Sequence, residues 1–190
     1  MISINKIKIE KFENEIYQKY IKLFPEEEQR EWNNIRKSYE KGLEEFYEIA
    51  NENVIVGFIL LERLNDKTPY YMDYFAIYAE HQNKGYGTEA IKILLRDIVK
   101  DKGLCIEIEK ENDGCNDEEI LLRQRRGKFY RNLGFKKVES EYLLYNVLYT
   151  PYIYDVSDKF SKEDIDRIMF DYYVENCGKE AINKKCKIIF

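Results

Sequence analysis

Near the middle of the chain an aromatic run, Tyr70–Tyr78, gives way through Gln82-Asn83-Lys84-Gly85-Tyr86-Gly87-Thr88 to a segment with Ala90, Ile91, Ile93, Leu94, Leu95 and Ile98 at helical spacing. Gly103 stops that segment, and Leu104–Glu109 then alternates apolar residues with Cys or Glu. The pattern predicts a strand, a helix over 88–100 and a second strand. A connection of this kind joins parallel neighbours of one sheet, which places the chain in a mixed α+β class.

The flanking segments extend this order. Ile2, Ile4, Ile7 and Ile9 read as an opening strand, irregular near Asn5 and Lys6 where the alternation slips. Segments 13–23 and 25–41 read as helices, the second opening on Pro25 with Glu26, Glu27 and Glu28 in its first turn and ending at Gly42. Glu44–Ile49 and Val54–Leu61 are β-rich runs joined by the short polar link 50–53, so they are expected to pair antiparallel. An acidic loop runs to Glu119, Ile120–Leu133 is helical up to Gly134, and 135–154 holds two further strands. Beyond them Ser161 and Asp164 form a capping box ahead of Ile165, Ile168, Met169, Tyr172 and Tyr173 on one helix face, closed by Gly178. This appendage either covers a sheet edge or helix, or serves as a lid or dimer contact.

Composition sets the outer bounds. At 190 residues, against about 150 for a domain, one domain with an appendage is expected. Ten phenylalanines, seventeen tyrosines and 44% hydrophobic content rule out a disordered chain. The tyrosine abundance itself reads as compositional habit. The longest apolar stretch, Val54–Leu61, is broken by Gly57 and is far short of the roughly 20 residues of a membrane span. Met1–Phe12 carries no continuous apolar run of the kind a secretory signal needs, so a cytoplasmic address is expected. Cys105, Cys115, Cys177 and Cys186 form no C-x-x-C pair and are expected to be reduced thiols. With His81 as the sole histidine, a His-rich zinc site is excluded and no metal is expected. A net charge of -5 argues against non-specific nucleic-acid binding and favours cationic substrates.

The joint at 82–88 has its own chemistry. Backbone N–H groups at the start of a helix lack intrahelical acceptors and carry partial positive charge, so an anion is held there. Gly85 and Gly87 allow close approach by a bulky diphosphate, and Lys84 adds a counter-charge. The alternative is an ordinary turn before a helix. No G-x-x-x-x-G-K-[ST] string exists in the chain. Gly85, Gly87 and Ala90 satisfy the dinucleotide pattern G-x-G-x-x-A, with Glu107 about 20 residues on, but Ala79–Lys84 separate the glycines from the strand end, where that fold has almost no spacing.

Gln82-x-x-Gly85-x-Gly87 resembles the acyl-CoA loop of the GNAT superfamily of N-acetyltransferases. Phe129-Tyr130-Arg131-Asn132-Leu133-Gly134-Phe135 resembles that family's aromatic-Tyr-x-x-Leu-Gly-Phe segment, about 45 residues downstream. The likeness is close over 54–147, and the element order is compatible from Ile4 to Tyr154. It implies a GNAT-like mixed, mostly antiparallel sheet of six to seven strands with a parallel central pair, flanked by about four helices, over residues 1–155. Residues 156–190 are expected to form a C-terminal helical extension packed on the same domain. The chain departs from the family at Arg123 and Arg126, where members often carry Asn and Ala.

The resemblance implies transfer of the acetyl group of acetyl-CoA to a primary amine by direct attack. It places the CoA diphosphate on the amides of Asn83, Lys84, Gly85, Tyr86, Gly87 and Thr88, next to Gln82, and the pantetheine arm along the main chain near Phe75, Ala76 and Ile77. A backbone N–H near Ile77 would stabilise the thioester oxygen. Tyr130 matches the family tyrosine that protonates the departing thiolate. An amine of pKa about 10.4 must lose a proton before attack, which a carboxylate can take. Asp73 lies mid-strand, and Glu107 and Glu109 share one face of the next strand with Cys105, so these acids either line a cleft or meet solvent.

From Arg123 to Lys137 seven basic residues occur without an acid. Some of them, Arg126 foremost, reach CoA phosphates or an anionic substrate group, or else the run is a solvated face paired with the acidic loop 111–119. The resemblance implies a small-molecule or peptide amine as acceptor, and the protein is expected to be a monomer or homodimer. Two rival readings are a non-catalytic acyl-CoA-binding regulatory module and a nicotinamide-dependent oxidoreductase.

Overall fold

The first unit, Met1–Lys100, opens with strand β1 (Ile2–Ile7). A helical segment α1 (9–23) follows, built from a turn at Ile9–Lys11, a π turn at Phe12–Ile16 and an α-helix at Tyr17–Leu23. Strands β2 (Glu44–Asn51), β3 (Val54–Glu62) and β4 (Tyr70–Ile77) continue the sheet in sequence order, every pair antiparallel. The expected β2–β3 hairpin is present, and Glu52 takes a left-handed φ of 57° in its tight turn. This is a computed structural model of the chain, describing residues 1–144, 146–179, 182 and 186–189.

Aromatic residues spaced along α1 meet the apolar face of β2, β3 and β4. Phe12 stacks on Phe46 at 4.6 Å and meets Phe58 edge-on at 5.9 Å, while Tyr20 meets Tyr74 edge-on at 4.8 Å. Phe12, Tyr20, Phe46 and Phe58 are all fully buried. Such side chains bury roughly 150–250 Å² each and dominate the apolar contribution to stability.

The helix expected over 25–41 is broken. Residues Glu26–Glu28 form one 3-10 turn, the chain is extended at Gln29 and Glu31, and the α-helix proper, α2, covers Trp32–Glu40. Local propensity favours an unbroken helix here, but the Arg30 side chain is only 8% exposed and faces three carboxylates. A regular helix would leave Arg30 without that pairing, so tertiary electrostatics overrides propensity. The last helix of this unit, α3 (86–99), is an α-helix over Tyr86–Ile93 continued by a π turn over Leu94–Val99.

The second unit, Asp101–Phe190, is organised around β8 (Val147–Tyr154). Strand β5 (Leu104–Glu109) pairs antiparallel with it, as do β6 (Lys136–Lys137) and β7 (Glu141–Leu144), and β9 (Cys186–Ile189) pairs antiparallel with β7. Helix α4 (Asp117–Asn132) starts earlier than its apolar pattern indicates, because the Asn116 side chain caps it by accepting from the Glu119 amide at 2.9 Å. Helix α5 (Lys162–Cys177) begins with the expected Ser161–Asp164 capping box and ends at Gly178. The α+β class is the one expected. The strand count among the described residues reaches nine because the two-residue β6 and the four-residue β9 add to the sheet-forming runs. No described helix is long and apolar enough to cross a membrane.

Candidate active site

The joint after β4 is built to expose backbone amides. The Tyr78 amide donates to the Val56 carbonyl at 2.9 Å, and one 3-10 turn at Ala79–His81 leads to Gln82. Gln82 Nε2 donates back to the Ile77 carbonyl at 3.0 Å and Lys84 Nζ to the Glu80 carbonyl at 2.9 Å, which folds the loop against the strand end. Asn83 and Gly85 adopt positive φ values of 60° and 80°, and Gly85 does so without a Cβ penalty. No side chain caps α3, and among the described residues no carbonyl or side chain accepts the amide hydrogens of residues 83–88 at 3.5 Å or less with good alignment. Six amides at the positive end of a helix are therefore open to an anion. Asn51 fixes the Tyr86 ring from the side, donating to its hydroxyl at 3.1 Å.

Upstream, Phe75, Ala76 and Ile77 pair with Ile59, Phe58 and Gly57 of β3. A Cβ at position 57 would stand 2.2 Å from the Ala76 carbonyl oxygen, so only glycine lets the strands approach there. Leu60 pairs with Tyr74 and Leu61 with Met72, which makes Asp73 the extra residue of a β-bulge.

The Asp73 carboxylate receives Arg30 Nη1 at 2.7 Å. The same guanidinium lies 2.7 Å from Glu62 and 3.1 Å from Glu44, and donates to Ser38 Oγ at 3.2 Å. The Arg30 amide donates to the hydroxyls of Tyr20 and Tyr74 at 2.9 and 3.1 Å. Burial pushes the Glu44 carboxyl well above its usual range against the pull of Arg30, and neighbouring Glu62 and Asp73 add to the rise. Burial likewise raises Asp73, again opposed by Arg30. Asp73 is thus sequestered in an internal ion cluster. Sequence reasoning missed Arg30, Glu44 and Glu62; the one visible signal was Glu62 at the end of the otherwise apolar β3.

In the second unit β5 presents its acids to different partners. Glu109 is bound by Arg126 and lies 3.4 Å from Arg123, which is itself buried and bonded to Glu119 at 2.5 Å and to the Asp113 carbonyl at 3.1 Å. Glu107 is half-buried and accepts a hydrogen bond from the Tyr173 hydroxyl of α5, a partner the sequence did not reveal. Cys105 is fully buried, and burial pushes its thiol far above the range of a reactive cysteine.

Tyr130 lies in the last turn of α4, edge-on to Phe129 at 5.0 Å and to Phe135 at 5.3 Å. Its carbonyl accepts from the amides of Leu133 and Phe135 at 3.0 and 3.2 Å, which fixes the helix end under the Leu133-Gly134-Phe135 turn. Burial pushes its hydroxyl up to about 12, with Arg126 pulling the other way. The group is a protonated donor throughout the neutral range. Of the basic run, Arg123 and Arg126 serve Glu109, and Arg131 binds Glu111, which also accepts from Tyr152 at 2.7 Å. Those three arginines are paired with acids at or beside the acidic loop.

The family described as Acetyltransferase (GNAT) family matches residues 9–135. No curated protein matches. Among solved structures, a GNAT-family acetyltransferase from Bacteroides thetaiotaomicron is 20% identical with a TM-score of 0.74, covering 93% of this chain and 98% of its own. One from Elizabethkingia anophelis, solved with acetyl-CoA bound, is 14% identical with a TM-score of 0.59, covering 82% and 98%. The spermidine/spermine N-acetyltransferase of Vibrio cholerae is 11% identical with a TM-score of 0.54, covering 81% and 94%. At these identities the likeness is one of fold.

Proposed function

Since the chain belongs to the GNAT acetyltransferase family, an acetyl-CoA-dependent group of enzymes, we propose that it moves the acetyl group of acetyl-CoA to a primary amine by direct attack. The observation that carries this reading is the set of uncommitted amides at residues 83–88, folded open by Gln82 and Lys84. They suit the diphosphate of CoA, with Lys84 as counter-charge. The pantetheine arm then follows the main chain of Phe75, Ala76 and Ile77, with an N–H near Ile77 directed at the thioester oxygen.

Of the three candidate bases, Glu107 fits best. Asp73 is held in an internal cluster with Arg30, and Glu109 is already engaged by two guanidiniums. Glu107 is held by a neutral phenol on a half-buried strand face. In this scheme Glu107 takes a proton from the acceptor ammonium, and the nitrogen lone pair forms the new C–N bond. The C–S bond breaks with its electron pair on sulfur, the Tyr130 hydroxyl donates to that sulfur as it leaves, and the nitrogen loses its second proton to solvent, from which Tyr130 is reprotonated. Arg126, tied to Glu109, is kept as a secondary contact for CoA phosphates. The acidic chain suits a cationic small-molecule or peptide amine.

Release of free thiol from acetyl-CoA across a panel of primary amines tests the reading. Amine-dependent turnover is expected. Acetyl-CoA binding without turnover on any amine would instead mark a binding module, and stabilisation by NAD with none by CoA would mark an oxidoreductase.

A further inference from the structure

Helix α5 lies beyond the segment that carries the family's motifs, yet it reaches a residue central to the proposed chemistry. Tyr173 of this helix donates to Oε2 of Glu107 on β5. The tyrosine is itself rigidly placed. It is 5% exposed and meets Tyr142 of β7 edge-on, with ring centroids 6.0 Å apart and planes at 83°. The Tyr142 hydroxyl in turn donates to Asp166 at 2.8 Å, two turns before Tyr173 on the same face of α5. Asp166, buried, also accepts from Ser140 Oγ at 3.0 Å and Lys162 Nζ at 2.8 Å. The network Ser140–Asp166–Tyr142 thus locks α5 onto β7 and sets the direction of the Tyr173 hydroxyl.

We propose that Tyr173 is a positioning residue for the Glu107 carboxylate, so that the C-terminal helix is a working part of the catalytic apparatus. The inference rests on the reading of Glu107 as the base. A neutral donor on Oε2 fixes the plane of the carboxylate without placing a positive charge against it. A cation in the same place would hold the carboxylate as firmly but weaken it as a base. Simple packing of an appendage needs only apolar contact, which Ile165, Ile168 and Met169 already supply.

A double-mutant cycle tests this. Tyr173→Phe keeps the ring and removes the donor; Glu107→Gln keeps the shape and removes the base. Tyr173→Phe is expected to lower kcat about tenfold while leaving KM for acetyl-CoA and the unfolding midpoint close to wild type. In the Glu107→Gln background the same change should cost less than about twofold, because the group it positions is gone. An equal loss in both backgrounds, or unchanged kcat in the single variant, would overturn the positioning role. Wild-type turnover by Glu107→Gln itself would overturn the base assignment, and the inference with it. Should Tyr173→Phe melt early, Tyr142→Phe, which loosens the same lock one step further back, must reproduce the backgrounds' difference for the proposal to stand.

Discussion

Replacement of Arg30 by Ala is expected to lower stability by about 3–5 kcal/mol, the usual cost of removing one partner from a buried ion cluster. The side chain is 8% exposed and is the shared partner of Asp73, Glu44 and Glu62. Without it three carboxyl groups remain close together in a site from which water is largely excluded. Burial already raises Glu44 and Asp73 with Arg30 present, and removing Arg30 takes away the opposing influence. The folded variant therefore binds more protons than its unfolded chain between the unfolded carboxyl range and the raised folded one. Stability falls with pH wherever the folded state holds the extra protons, so the variant should gain stability as pH falls from 7 toward 5. Denaturant unfolding at several pH values measures both effects. A loss below about 1 kcal/mol, or a variant that weakens steadily from pH 7 to 5, would show that the cluster does not hold the 25–31 connection.

Tyr130→Phe is expected to lower kcat by about 10²- to 10⁴-fold, the range over which a positioned acid contributes, while KM for acetyl-CoA stays near wild type. The change removes one oxygen and keeps the ring against Phe129 and Phe135. With its hydroxyl pushed up to about 12, Tyr130 gives its proton below that pH and loses the role only above it. The wild-type rate should show no alkaline fall assignable to Tyr130 below pH 10. Steady-state kinetics on the acceptor found by the amine panel decides the matter. Full turnover by the variant would remove Tyr130 from the chemistry.

Much of the candidate site is local information, and that part was legible. The glycine spacing at 82–88, the helical period after it and the Phe129–Phe135 segment are contiguous patterns, as is the Ser161 capping box. The charge inversion over 123–137 pointed toward the acidic loop, and Arg131 does bind Glu111 there. What could not be read are contacts set by the tertiary fold. The break before Trp32 depends on Arg30 meeting acids 14 and 43 residues away, while the local sequence, rich in Glu, Arg and Lys, favours a continuous helix. Glu107 and Tyr173 are 66 residues apart. The alternation of β5 gave the face of Glu107, and the period of α5 gave the face of Tyr173; no sequence pattern joins the two. The Asp73 bulge has the same origin, since one extra residue on a strand is defined only by its partner strand.

The most direct test is a crystal structure of the protein with acetyl-CoA bound. The account predicts the diphosphate oxygens at about 3 Å from the amide nitrogens of residues 83–88, with Gln82 still turned back to Ile77. A diphosphate bound elsewhere, with those amides donating to the protein's own carbonyls, would contradict it.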